Sequence, residues 1–169
     1  LACSRNRDKG ITLNPVHLDL SRNFEAALRG TVNLITISAL LDLVSQEWLD
    51  QFLQEIAARH LPVYAALTYD GRTDLSPPDP FDGQIVSAVN AHQLTDKGFG
   101  PALGPSAARS AISGLRALGY LLVDGESDWI FRPDDRQIQD DMLEGWSNAA
   151  REMGTLSETD IADWLSRRK

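Results

Sequence analysis

The side chains best able to do chemistry in this chain are few and far apart. They are Asp19, the stretch from Ser38 to Asp42, the Thr68-Tyr69-Asp70 triplet, His92, and the glycines at 98, 100 and 104. An acidic residue at the end of a strand accepts hydrogen bonds from a ribose hydroxyl or an exocyclic amine, and Asp19 has that position; capping the next helix is its equal alternative. Asp42 suits the cap of a following turn better than a ligand contact. The three histidines lie on separate elements without metal-ligand spacing. His60 ends a helical stretch, where a protonated imidazole suits the dipole, and His17 reads as a strand-face residue, which leaves His92 for a substrate role. Gly98, Gly100 and Gly104 form G-x-G-x-x-x-G ahead of a helix and a strand ending at Asp124, an order that mimics a dinucleotide fingerprint. No strand runs into Gly98 and Pro101 removes a donor, so the stretch reads as a mobile, substrate-side loop. No G-x-S-x-G elbow, H-E-x-x-H helix or Walker loop is present, which leaves hydrolase and nucleotide-triphosphatase readings unsupported.

The elements that must position these residues alternate between strand and helix. Residues 11–20 (ITLNPVHLDL) read as an extended segment interrupted by Pro15, and 21–28 as a short helix stopped by Gly30. The apolar run 31–41 (TVNLITISALL) suits a strand covered on both faces. In 45–60, Trp48, Leu49, Phe52, Leu53 and Ile56 share one stripe, so the segment predicts a helix capped by Ser45. With the apolar strand 63–69 (VYAALTY) behind it, this makes a βαβ unit and a parallel sheet with a right-handed crossover. A proline- and aspartate-rich loop follows, then helical segments at 84–93 and 105–118, the latter with Ala108, Ala111, Ile112, Leu115 and Leu118 inward. Residues 120–123 and 129–131 flank a polar turn as an antiparallel hairpin. The remainder is helical, with Ile138, Met142, Trp146 and Ala149 inward in one helix, and Ile161, Trp164 and Leu165 inward in a last helix capped by Ser157.

With 169 residues the chain is the size of one domain, and residues 134–169 are expected as helices packed on it. Its net charge of −8 disfavours nucleic-acid backbones, and no apolar run is long enough to span a membrane. One cysteine, Cys3, excludes an internal disulfide and a cysteine-rich zinc site, and fits a reducing, cytoplasmic setting.

VHLDL, then VNLITISALLDLVS, a helix and LPVYAALTYDGR resemble the central part of class I S-adenosylmethionine-dependent methyltransferases. NAHQLTDKGFGPALGPSA and the later SDWIF are similar to a bacterial subgroup of that family. The resemblance covers about residues 11–131 and implies a Rossmann-like open, mostly parallel α/β sheet ending in an antiparallel hairpin. It also implies S-adenosylmethionine as cofactor, with Asp19 and Leu20 on the adenine side and Ser38, Ala39 and Leu40 along the methionine moiety. Tyr69, Asp70, His92 and Lys97 then face a small-molecule or protein methyl acceptor, with Asp70 or His92 as the base where one is needed. The family's glycine-rich loop and second strand have no counterpart before Ile11, so the chain matches the carboxy-terminal two-thirds of such a domain. Weak or absent cofactor binding is therefore expected, with a homodimer through the exposed sheet edge. A non-catalytic interaction module and, third, a nicotinamide-dependent oxidoreductase using residues 98–104 are the other readings.

Overall fold

The computed structural model describes residues 5–6 and 11–169. Cys3 and most of the first ten residues lie outside the described residues. The part that is described, β1 (Arg5–Asn6), pairs antiparallel with β2 (Ile11–Thr12). The centre of the molecule is β3 (Ile35–Ser38), α2 (Gln46–Ala58) and β4 (Val63–Ala66). The two strands run parallel in the register Ile35↔Val63 to Ser38↔Ala66, as the helix between two apolar runs requires. Ser45 caps α2, its hydroxyl accepting from the Trp48 amide at 3.2 Å.

One face of this pair is a core. Ile37 packs with Leu49, Phe52, Leu53 and Ile56 of α2, and α4 (Ala107–Ala117) adds Ala107 and Ala111. Gly114 lets α4 approach closely, since a Cβ there would lie 2.4 Å from Leu53 Cδ1. The short α1 (Leu20–Asn23) and the 3-10 turn Phe24–Leu28 run along α2, with Phe24 against Trp48 and Phe52 at ring-centroid separations of 5.2 and 5.9 Å. The other face is open: Leu34, Thr36, Ser38 and Tyr64 are exposed.

A second core forms among α3 (Asp82–Gln93), α5 (Arg136–Met153) and α6 (Glu158–Arg168), around Ile85, Val89, Leu143, Ile161 and the fully buried Trp164. The stripe of α5 is rotated from the expected one: Leu143, Ser147, Ala149 and Ala150 are buried while Ile138 is exposed, because the helix packs against two helices instead of a sheet. In α4, likewise, Leu118 is exposed and the buried positions are Ala107 and Ala111.

The chain is thus mixed α/β, but two expected parts of the sheet are not formed. Residues 13–19 make no ladder with β3; Pro15 lacks a donor, and beyond Thr12 the segment leads directly to α1. Residues 120–131 carry no strand, and Leu121, Val123 and Ile130 stand fully or largely in solvent. A two-stranded ribbon is marginal by itself, and this one lacks a packed face to hold it. No helix among the described residues is long and apolar enough to cross a membrane.

Candidate functional site

Parallel strands point their carboxyl ends the same way, so β3 and β4 deliver their last residues to a common rim. Both chains turn sharply there. Ala39, directly after β3, and Leu67, directly after β4, occupy left-handed backbone at φ +52° and +57°, and they stand at the same level because Ser38 pairs with Ala66. Two non-glycine residues in that conformation cost of order 1–3 kcal/mol each, and such strain collects where chains bend around ligands. Ser38 and Ala39 are exposed on this rim and Leu40 is half-buried.

Asp42 lies just inside it. The residue is 8% exposed, and its Oδ1 is buried with no hydrogen-bond partner in the structure. Burial pushes its carboxyl above the usual range, opposed by its own amide and that of Tyr69. Four apolar neighbours in LLDLV could have marked it as a buried acid from the start. The segment after the glycine loop closes over it: the Gly104 amide donates to the Asp42 carbonyl at 2.9 Å and the Leu103 amide to that of Val44 at 2.8 Å.

On the β4 side, the Tyr69 hydroxyl donates to Asn90 Oδ1 at 2.8 Å and Asn90 Nδ2 donates to the Gly71 carbonyl at 3.3 Å. Gly71, at φ +83°, leaves no room for a side chain, whose Cβ would lie 2.9 Å from Pro105 Cβ. Burial raises the Tyr69 phenol. Asp70 is engaged by Arg72, whose amide and Nε donate to it at 3.0 and 2.6 Å. Partial burial lifts the Asp70 carboxyl, but these bonds outweigh it and hold the group below its ordinary range, a poor setting for a proton acceptor. The same guanidinium reaches Glu126 and Asp128 at 2.9 and 3.1 Å.

His92 and Lys97 come together, but not with Tyr69. Ile85, Ala88, Val89 and His92 recur at helical spacing on the face of α3 that meets α5, about 200° around the axis from Asn90. His92 Nε2 is 2.8 Å from Glu152 Oε2, Lys97 Nζ lies 3.4 Å from His92 Nδ1, and Lys97 also donates to Thr95 Oγ1 at 2.8 Å. Glu152 was invisible to sequence reasoning because it is 60 positions away, on another helix. The position of His92 on the α5-facing stripe was legible in its spacing from Ile85 and Ala88.

Asp19 takes its capping alternative. Its Oδ1 accepts from the amide and hydroxyl of Ser21 at 3.1 and 2.6 Å, and the hydroxyl bond foremost lowers its pKa. Its neighbour Leu20 approaches the rim through its carbonyl, which accepts from Trp48 Nε1 in the first turn of α2 at 2.8 Å. The glycine loop has already filled its own anion cradle: Asp96 Oδ1 accepts from the Gly98 and Gly100 amides at 2.7 and 3.0 Å. Phe99 seats the loop edge-on against Trp48. No group of three or more His, Cys, Asp or Glu side chains among the described residues could hold a metal ion. Comparisons with protein-family models, curated proteins and solved structures return no match.

Proposed function

We propose that the chain is part of a class I S-adenosylmethionine-dependent methyltransferase domain, transferring a methyl group to a small-molecule or protein acceptor. The observation that carries the reading is the rim: two parallel strands joined through a helix, broken at one level into strained backbone, with a buried, unpartnered carboxyl oxygen beneath. A parallel βαβ unit with a ligand edge at its carboxyl end is what a Rossmann-like sheet supplies.

The described residues fit this cofactor only in part. Ser38, Ala39 and Leu40 offer a hydroxyl, an exposed backbone turn and an apolar side to a sulfonium and its substituents. Asp19 is committed to Ser21, and the Gly98 and Gly100 amides, which could otherwise cradle a carboxylate or phosphate, are taken by Asp96. The same self-filled cradle weakens the case for nicotinamide binding at this loop. Weak or absent binding of S-adenosylmethionine by this chain is the expected outcome, and no step is derived through it. On the acceptor side, Tyr69 faces Asn90, while Lys97 stands apart beside His92. Enzymes of this class accelerate transfer mainly by holding two reactants in line.

A second reading, an interaction module, draws on the open sheet face and the exposed Leu121, Val123, Trp129 and Ile130. Parallel sheets are ordinarily covered on both faces, and an open edge invites another strand, so a homodimer through that edge is part of either reading. Calorimetric titration of S-adenosylmethionine into this chain and into a version extended upstream tests the proposal. Saturable binding by the extended version alone supports it; heat from neither favours the interaction module.

A further inference from the structure

The Lys97 ammonium has two partners, Thr95 Oγ1 at 2.8 Å and His92 Nδ1 at 3.4 Å. An ammonium has only hydrogens to offer, so Nδ1 can receive one only as a bare lone pair. With Nδ1 accepting from Lys97, the ring carries its proton on Nε2, beside Glu152 Oε2 at 2.8 Å, and the imidazole in this arrangement is neutral. Among the described residues, Glu152 from α5 and Lys97 from the following loop are the charged groups facing the ring; neighbouring Asp96 turns to the Gly98 and Gly100 amides and Arg151 to Glu158.

We propose that His92 is a proton-operated latch on the loop that packs over Asp42 beside the rim, a ligand-gating device at the α3–α5 junction. A second proton on the ring replaces the Nδ1 lone pair with an N–H and sets two positive groups against each other across the former bond. Lys97 leaves, while Glu152 gains a full ion pair with the imidazolium, so acid loosens the loop and tightens α3 on α5. Lys97 opens the segment whose far end, Leu103 and Gly104, lies across Val44 and Asp42, and whose middle, Phe99, rests on Trp48. Ala39 and Leu67 are already exposed, so what releasing its near end uncovers for a ligand is the buried Asp42 beside them. What the latch gates rests on the reading of the rim as the site; the latch itself does not, and it is measured without any ligand.

Nitrogen-15 spectra of the chain between about pH 8 and pH 5 follow the His92 ring and the Gly98 and Gly100 amides together. Expected are a neutral ring protonated on Nε2, glycine shifts that move with the ring over one titration, and amide protection at Gly98 and Gly100 that falls at least threefold on the acid side after correction for intrinsic exchange. Lys97→Met, at a half-buried surface position, puts the loop in its acid-side state at pH 8, and His92→Asn removes the pH response. Glycine signals that ignore the ring's titration, a neutral ring protonated on Nδ1, or an unchanged loop in Lys97→Met overturns the latch. Failure of S-adenosylmethionine to bind the extended chain leaves these signals where they are, so the two ideas fail separately.

Discussion

The sheet unit and the helical cluster solve the same packing problem to different degrees. Around α3, α5 and α6 the polar ends are tied off: Trp164 Nε1 donates to Asp82 Oδ1 at 2.8 Å, Arg168 pairs with Asp82, and Arg167 Nε donates to Asp79 Oδ2 at 2.6 Å. Asp79 and Asp82 in turn receive the amides of Phe81 and Asp79, fixing the start of α3. Each region holds one buried oxygen without a partner, Ser147 Oγ on α5 and Asp42 Oδ1 beside β3, but the β3–β4 unit, packed as tightly on one side, also keeps an open face and two strained turns at its carboxyl end. A third left-handed non-glycine residue, His60 at φ +54°, stands at the opposite end, before β4; the proposed function takes the end where Ala39, Leu67 and the Asp42 carboxyl lie together as the working surface.

Substitutions can break this contrast at either region. The largest expected effect is Trp164→Ala, which empties a fully buried indole site and should cost about 3–5 kcal/mol in urea unfolding. Because Trp164 belongs to the helical cluster alone, the loss should appear first in α3, α5 and α6 by amide exchange, leaving β3 and β4 protected. Simultaneous loss in both regions would mean that they unfold as one. Next is Gly114→Val on the sheet side, where even the Cβ overlaps Leu53; about 1–3 kcal/mol is expected, read as a lowered urea midpoint.

The division between what could and could not be read beforehand follows the same line. The βαβ centre was legible because α2 carries five buried residues at helical spacing between two apolar runs, and Ser45 and Ser157 cap as their positions indicate. Local signals failed where stability depends on a neighbour. The hairpin at 120–131 and the extended segment at 13–19 have strand-like composition, but Val16, Leu121, Val123 and Ile130 remain exposed, and composition alone does not form a ladder. At the site, Ser38 and Tyr69 reach one end of the sheet as strand direction dictates, while Asp19 turned to its own helix and His92 to α5. The pairing of His92 with Glu152, and the isolation of the Asp42 oxygen, depend on packing between distant segments.

Smaller effects sharpen the comparison through pH. Folding raises the pKa of Asp42, so its contribution is fully present below the unfolded carboxylate range, near about pH 4, and is lost as pH rises through the folded value. Asp42→Asn should therefore stabilise the chain by about 1–2 kcal/mol at pH 8, the gain vanishing toward pH 4. A flat difference across that range would refute a buried, proton-hungry acid at the rim. Asp79 behaves oppositely. Chiefly through the hydrogen bond from Arg167, its pKa falls to about 2, so its support is present above the unfolded range and disappears as pH falls through about 2. Asp79→Asn should lower the melting temperature slightly at pH 7 and not at pH 2, as thermal melts at the two pH values would reveal.

The most direct test of the rim as the ligand edge is photochemical cross-linking of S-adenosylmethionine, labelled in its methyl group, to the upstream-extended chain, followed by peptide mapping. The label is expected in residues 38–42, with a lesser share in 68–71, and should be competed away by S-adenosylhomocysteine. Competable label confined to residues 97–104, or to the helices beyond residue 134, would contradict the account.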